Sequence, residues 1–238
     1  MSRNSIDFSN PATLVVGSIG DQEALANSTP ESLKNECDIA EIRLDLFHES
    51  ILNLGREVWQ HLLPFPLLFT ARCNAEGSPF ELDLSTRTKL LRMAMPDASL
   101  LDIEVMTLQE VRDFIQEVQE EKIPWLASYH DFEKLPSEHT LNTNLLVAKN
   151  AGAHIFKVAA HLNSVDSLAR LANFQTRQET LPISSMGMGI LAPVSRLLCA
   201  QAGSVLNYGF IGKSPTAPGQ WSAKQLKEAI QSLLPFPS

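Results

Sequence analysis

Residues 100–131 read LLDIEVMTLQEVRDFIQEVQEEKIPWLASYHD. The stretch opens on a short apolar run, LLDIEVM, and passes into LQEVRDFIQEVQEE from Leu108, where apolar residues recur at helical spacing. It closes on a second apolar run, PWLASYHD from Pro124. Apolar residues three and four apart form one stripe along a helix, whereas a short apolar run bounded by breakers suits a strand buried on both faces. The unit is strand, helix, strand.

Outward from it the alternation repeats. TLVVGSIG from Thr13, DIAEIRLDLF from Asp38 and PLLFTARC from Pro66 precede it; HIFKVAA from His154, PISSMGM from Pro182 and SVLNYGFIG from Ser204 follow. Polar, helix-periodic stretches such as SVDSLARLANFQ from Ser164 lie between. Strict alternation favours a parallel sheet, and eight such units within 238 residues favour closure. The expectation is an α/β protein, a (β/α)8 TIM barrel, with residues 1–238 forming a single catalytic domain. No GxGxxG loop follows the first strand, which argues against a dinucleotide-binding open sheet. Pro193 suits the first turn of the helix after the seventh strand and Gly203 its stop, while Ser164 and Ser222 suit N-caps. The Pro-rich tail LLPFPS is too short for a second domain.

The formal charge of −8 and pI near 5.2 argue against nucleic acid or an anionic membrane as partner, since either would need a basic surface. A small-molecule ligand fits better. Cys37, Cys73 and Cys199 show no CxxC spacing and the histidines no HxxxH or HExxH spacing, so neither disulfide nor metal site is indicated, and no cofactor is expected. The opening MSRNSIDFSN lacks the apolar run of a secretory signal, and no stretch is long enough to span a membrane. A soluble, cytoplasmic protein is expected.

Alternate residues of a strand face opposite sides, so Glu41, Arg43 and Asp45 share one face. Inside a barrel such charges are costly unless they pair or bind something; a solvated edge strand is the alternative, which the parallel context disfavours. The same arithmetic pairs Asp102 with Glu104, Ser128 with His130 and Ile155 with Lys157, with Arg72 at a strand end. Polar residues gathered at the C-terminal ends of strands are where a barrel builds its site. Lys157 lies in the uncharged run AGAHIFKVAAHLN, surroundings that favour a nucleophilic amine over a solvated ammonium, although a structural lysine would fit the same run. His130 suits a general acid and base if it stands near that lysine, and a hydrogen-bonded structural residue if it does not. His161 is read as a loop residue.

These strings resemble the type I 3-dehydroquinate dehydratase family along nearly the whole chain. EIRLDLF is similar to its E-x-R-x-D strand (Glu41, Arg43, Asp45), TARCNAEGS to its T-x-R and Glu-Gly segment (Arg72, Glu76), SYHDF to the strand of the catalytic histidine (His130), and AHIFKVA to that of the imine-forming lysine (Lys157). GMGILAPVSR resembles the Ser-Met-Gly and Ser-Arg segment (Met188, Ser195, Arg196), and TAPGQ the late lid loop (Thr216, Gln220). The resemblance implies dehydration of 3-dehydroquinate to 3-dehydroshikimate in the shikimate pathway by a homodimer. It further implies a Schiff base on Lys157, His130 as general acid and base, and Glu76 orienting His130 and favouring its protonated form. Arg196 would grip the substrate carboxylate, Glu41, Arg43 and Arg72 its hydroxyls, and Thr216 with Gln220 would close over it. The chain departs from the family at Ser78, Gly187, Ala192 and Thr216, the last keeping a hydroxyl. Two alternatives stand beside this reading: another imine-forming barrel lyase such as an aldolase, separable by its products, and a barrel that binds a carboxylated ligand without turnover.

Overall fold

The computed structural model describes residues 6, 8, 13–177 and 180–233; the end of the Pro-rich tail and most of the first ten residues lie outside them. The strands are β1 (Leu14–Ile19), β2 (Ile39–Arg43), β3 (Leu67–Thr70), β4 (Leu100–Glu104), β5 (Trp125–Asp131), β6 (Ile155–His161), β7 (Ile183–Met188) and β8 (Leu206–Ile211). Between and after them run α1 (Gln22–Asn27), α2 (Pro30–Glu36), α3 (His48–Leu54), α4 (Leu84–Ala94), α5 (Arg112–Glu120), α6 (Glu138–Asn150), α7 (Val165–Thr176), α8 (Ala192–Gln201) and α9 (Ala223–Gln231). Paired neighbours are parallel, in the order β7-β6-β5-β4-β3-β2-β1-β8.

The last seam, β7 against β8, closes without a regular ladder. The Val205 amide donates to the Ile183 carbonyl (2.9 Å), the Ser184 hydroxyl to the Leu206 carbonyl (2.8 Å) and the Ser185 amide to the Ser204 hydroxyl (3.2 Å). The result is the (β/α)8 barrel that the alternation predicts.

Helix punctuation follows the sequence. The Ser164 and Ser222 hydroxyls accept from the Ser167 and Gln225 amides (3.1 and 3.2 Å), and Pro193 sits in the first turn of α8. Gly203 ends that helix at φ +92°, with the Ser204 amide reaching back to the Cys199 carbonyl at 2.9 Å. Two differences stand out. The β1–β2 connection carries two helices, because Thr29 caps a second start immediately before Pro30. Strand β2 ends at Arg43, so Asp45 belongs to the following turn.

The barrel interior is layered. Val16, Ile39, Leu68, Leu100, Leu126 and Ile155 form a buried apolar floor. Two residues further along each of these strands, on the same inward face, come Ser18, Glu41, Thr70, Asp102, Ser128 and Lys157, all buried. One more step reaches Arg43, Arg72, Glu104 and His130. The outward residues, among them Ile42, Phe69, Ile103 and Phe156, join the larger core under the helices. Each fully buried aliphatic side chain there contributes about 1.5–3 kcal/mol, which is what holds the charged layer in place.

Candidate active site

Lys157 is the third of the seven residues of β6, so it stands inside the barrel, a layer below the rim. Its side chain is almost fully buried. The ammonium donates to Asp102 Oδ2 at 3.0 Å and lies 4.1 Å from the centroid of the Tyr208 ring. Asp102 also accepts from Arg72 Nη2 (2.7 Å) and the Ser128 hydroxyl. Burial pushes the Asp102 carboxyl up, but the Arg72 and Lys157 cations outweigh it and hold the group well below the usual carboxylate range. The lysine that looks isolated in its own segment is thus supplied with a counter-ion by β4, a residue type its flanking sequence does not reveal.

His130 Nδ1 and Glu76 Oε2 are 2.7 Å apart. Burial, then the Arg72 and Lys157 charges, hold the imidazole well below its ordinary 6.5, while burial pushes the Glu76 carboxyl up to about 8 against the pull of Arg72. This corrects the expectation that Glu76 favours protonated His130. Two cations share the same buried space, which disfavours the charged imidazole, and the glutamate orients the ring.

Arg196 reaches the interior from α8. Nε donates to the Tyr208 carbonyl (3.0 Å) and Nη1 to the Gly187 carbonyl (2.7 Å), and the side chain is 1% exposed. Among the described residues no carboxylate pairs with it, and burial lowers the guanidinium to about 10. Arg43, by contrast, is gripped by Asp45 through two bonds (2.9 and 2.7 Å), and Arg72 is fixed by Asp102 and by Ser128 (2.7 Å each). Glu41 accepts from Thr70 (2.7 Å) and from Ser18. Arg196 is therefore the cation of this cluster left to meet an anion from outside.

The loop after β8 folds over the mouth. Gln220 Oε1 accepts from the Thr216 amide (3.0 Å) and hydroxyl (2.9 Å), so the hydroxyl kept at this position is engaged within the loop. The Thr216 methyl lies against Gly20, where an added Cβ would come within 2.5 Å of it. Gly219, at φ +73°, approaches the β7–α8 turn so closely that a Cβ would lie 2.2 Å from the Gly189 carbonyl. Gly187 has its own reason: a side chain there would strike Leu162 and the Ser195 hydroxyl, which instead accepts from the Gly187 amide at 2.8 Å. Ala192 and Ser78 are both buried. His161 ends β6 rather than lying in a loop and faces Gly189.

Lys157, His130, Glu76, Glu41, Arg43, Arg72, Arg196, Thr216 and Gln220 all border one cavity, open at the C-terminal end of the strands. Met186, Met188, Ala159 and Tyr208 give it an apolar wall. Sequence reasoning left Tyr208, Ser18 and Thr70 out of the site, and inward parity alone would have flagged each. Among the described residues no group of His, Cys, Asp and Glu is arranged to hold a metal ion, and no helix is long and apolar enough to cross a membrane.

The fold and this mouth define an enzyme of the (β/α)8-barrel class. Residues 15–235 match the model of the type I 3-dehydroquinase family, and the chain belongs to that family. It is 32% identical over 227 residues to a catabolic 3-dehydroquinate dehydratase of Acinetobacter baylyi, covering 91% of this chain and 83% of the relative. It is 30% identical over 230 residues to a 3-dehydroquinate dehydratase of Methanothrix thermoacetophila, covering 97% and 95%. The crystal structure of the 3-dehydroquinate dehydratase from Geobacillus kaustophilus shares the fold, with a TM-score of 0.82 at 23% identity over 95% of this chain and 93% of that one.

Proposed function

We propose that the protein eliminates water from 3-dehydroquinate to give 3-dehydroshikimate, a step of the shikimate pathway, through an imine on Lys157. The observation that carries this reading is the convergence of a buried lysine, a neutral histidine held by a glutamate and a counter-ion-free arginine on one cavity. Family membership supplies the substrate.

The chemistry accounts for each group. Lys157 gives up a proton, adds as the amine to the C3 ketone, and the carbinolamine takes that proton back as its hydroxyl leaves as water, so that a protonated imine remains and acidifies the C2 proton. His130, neutral in the free site, takes that proton. The enamine electrons then expel the C1 hydroxyl, which takes the proton from His130 and leaves as water. Hydrolysis of the product imine returns the Lys157 amine, so one water is lost overall. Arg196 meets the substrate carboxylate, while Glu41, Arg43 and Arg72 border the hydroxyl side. Thr216 and Gln220 close the loop above. The reading extends to a homodimer acting in the cytoplasm from a single catalytic domain.

The test follows enone absorbance on mixing the protein with 3-dehydroquinate, with the product weighed. The wild type is expected to give a product lighter by one water and a Lys157→Met variant none. Carbon–carbon cleavage products, or wild-type rates from the variant, would overturn the reading.

A further inference from the structure

Tyr208 stands on the inward face of β8 with its side chain buried, bordering the cavity. It is packed with Met186, Met188 and Leu206 in the inner cluster of the barrel. Its ring face looks at the Lys157 nitrogen, 4.1 Å from the centroid, while Asp102 Oδ2 approaches the same nitrogen at 3.0 Å. A nitrogen flanked by a carboxylate and by the negative face of a ring is fixed from two directions. We propose that Tyr208 is a positioning residue for the reaction, its ring face holding the Lys157 nitrogen and stabilising the positive charge which that nitrogen carries in the imine. This rests on the imine reading above.

The two contacts differ in what survives the chemistry. An ammonium has three N–H donors, a protonated imine one, and that one turns with the plane of the new C=N bond. The bond to Asp102 depends on where that proton points. Attraction to the ring depends on charge and distance and not on where the proton points, so it persists while the nitrogen stays over the ring face. Asp102 keeps its bonds from Arg72 and Ser128 throughout. The other titratable groups in electrostatic reach of the nitrogen, His130 and Glu76, are hydrogen-bonded to each other.

The hydroxyl plays no part in holding the ring. The Tyr208 phenol oxygen is buried and has no hydrogen-bond partner among the described residues. Burial, with the Glu41 and Asp102 charges, keeps the phenol protonated, so the ring adds no negative charge of its own. An unpartnered buried hydroxyl costs stability, so it is the ring, not the oxygen, that earns this residue its place.

The experiment compares wild type, Tyr208→Phe and Tyr208→Leu for kcat, KM and the rate of borohydride-trapped adduct formation on Lys157 with 3-dehydroquinate. A desolvated cation–π contact predicts that Leu lowers kcat and adduct rate about tenfold with KM changed less than about twofold, whereas Phe stays within about twofold of wild type in all three. A Leu variant trapping at the wild-type rate, or a Phe variant as impaired as Leu, overturns the assignment. A Tyr208→Met variant reads the same way if the Leu form does not fold, and the Phe form removes only the unpartnered oxygen. A folded wild type that traps no adduct overturns the imine reading itself, a result distinct from equal trapping by all variants.

Discussion

The floor of the barrel and the layer above it are made by the same strands, on the same inward face, two residues apart. Ile39 gives way to Glu41, Leu100 to Asp102, Leu126 to Ser128 and Ile155 to Lys157. At about 3.3 Å per residue, the change from dry packing to buried charge takes roughly 7 Å. The floor needs no partners beyond volume. The upper layer consists of groups whose desolvation is offset only by pairing, and it is paired nearly throughout: Arg43 with Asp45, Arg72 with Asp102, Arg87 with Glu104. Arg196, entering from a helix, breaks the pattern and leaves one buried cation uncompensated. With no carboxylate partner among the described residues, that cation is the one prepared for an anion.

Substitutions in the two layers should therefore fail in different ways. His130→Ala, in the upper layer, is expected to lower kcat about 10²- to 10⁴-fold with thermal stability near wild type, read by steady-state kinetics and calorimetry. Arg196→Leu should weaken substrate binding by about 2–5 kcal/mol, seen as a higher KM and a loss of binding by a carboxylated product analogue. Its failure to raise KM would show that the uncompensated cation is structural. Leu126→Ala, in the floor, should cost about 2–5 kcal/mol of stability in urea titration while the folded fraction keeps its kcat/KM. If activity fell in proportion, the layers would not be separable.

The smallest effect is one of pH. Glu76 rises to about 8 in the fold from an ordinary 4.5, and His130 falls below 6.5. Between 4.5 and 6.5 the folded protein holds a proton on Glu76 that the unfolded chain has released, and lacks one that unfolded His130 still carries, so the two contributions oppose each other. From 6.5 to 8 only the Glu76 proton remains, and stability falls as pH rises through that window, by at most about 1.4 kcal/mol per pH unit. Glu76→Gln should flatten the urea midpoint there; an unchanged slope would place the titration elsewhere.

Much of this was legible in the chain. Strand–helix alternation fixes the barrel because each apolar run needs cover on both faces, and parity puts Glu41, Arg43, Asp102, His130 and Lys157 inward without any coordinates. The lid contacts were legible only through resemblance, since Thr216 and Gln220 sit in a loop with no periodicity. What parity could not supply is pairing across strands. That Asp102 takes both Lys157 and Arg72, and that His130 is neutral rather than charged, depends on distances between β3, β4, β5 and β6. Tyr208 was passed over because an aromatic in an apolar run looks like core, which it also is.

The central claim is that the buried amine of Lys157 is the covalent centre of this layered site, and borohydride reduction in the presence of 3-dehydroquinate tests it most directly. Intact-mass and peptide analysis should find one substrate- or product-sized adduct, on the peptide containing Lys157. Turnover with no adduct, or an adduct confined to another lysine such as Lys213, would contradict it.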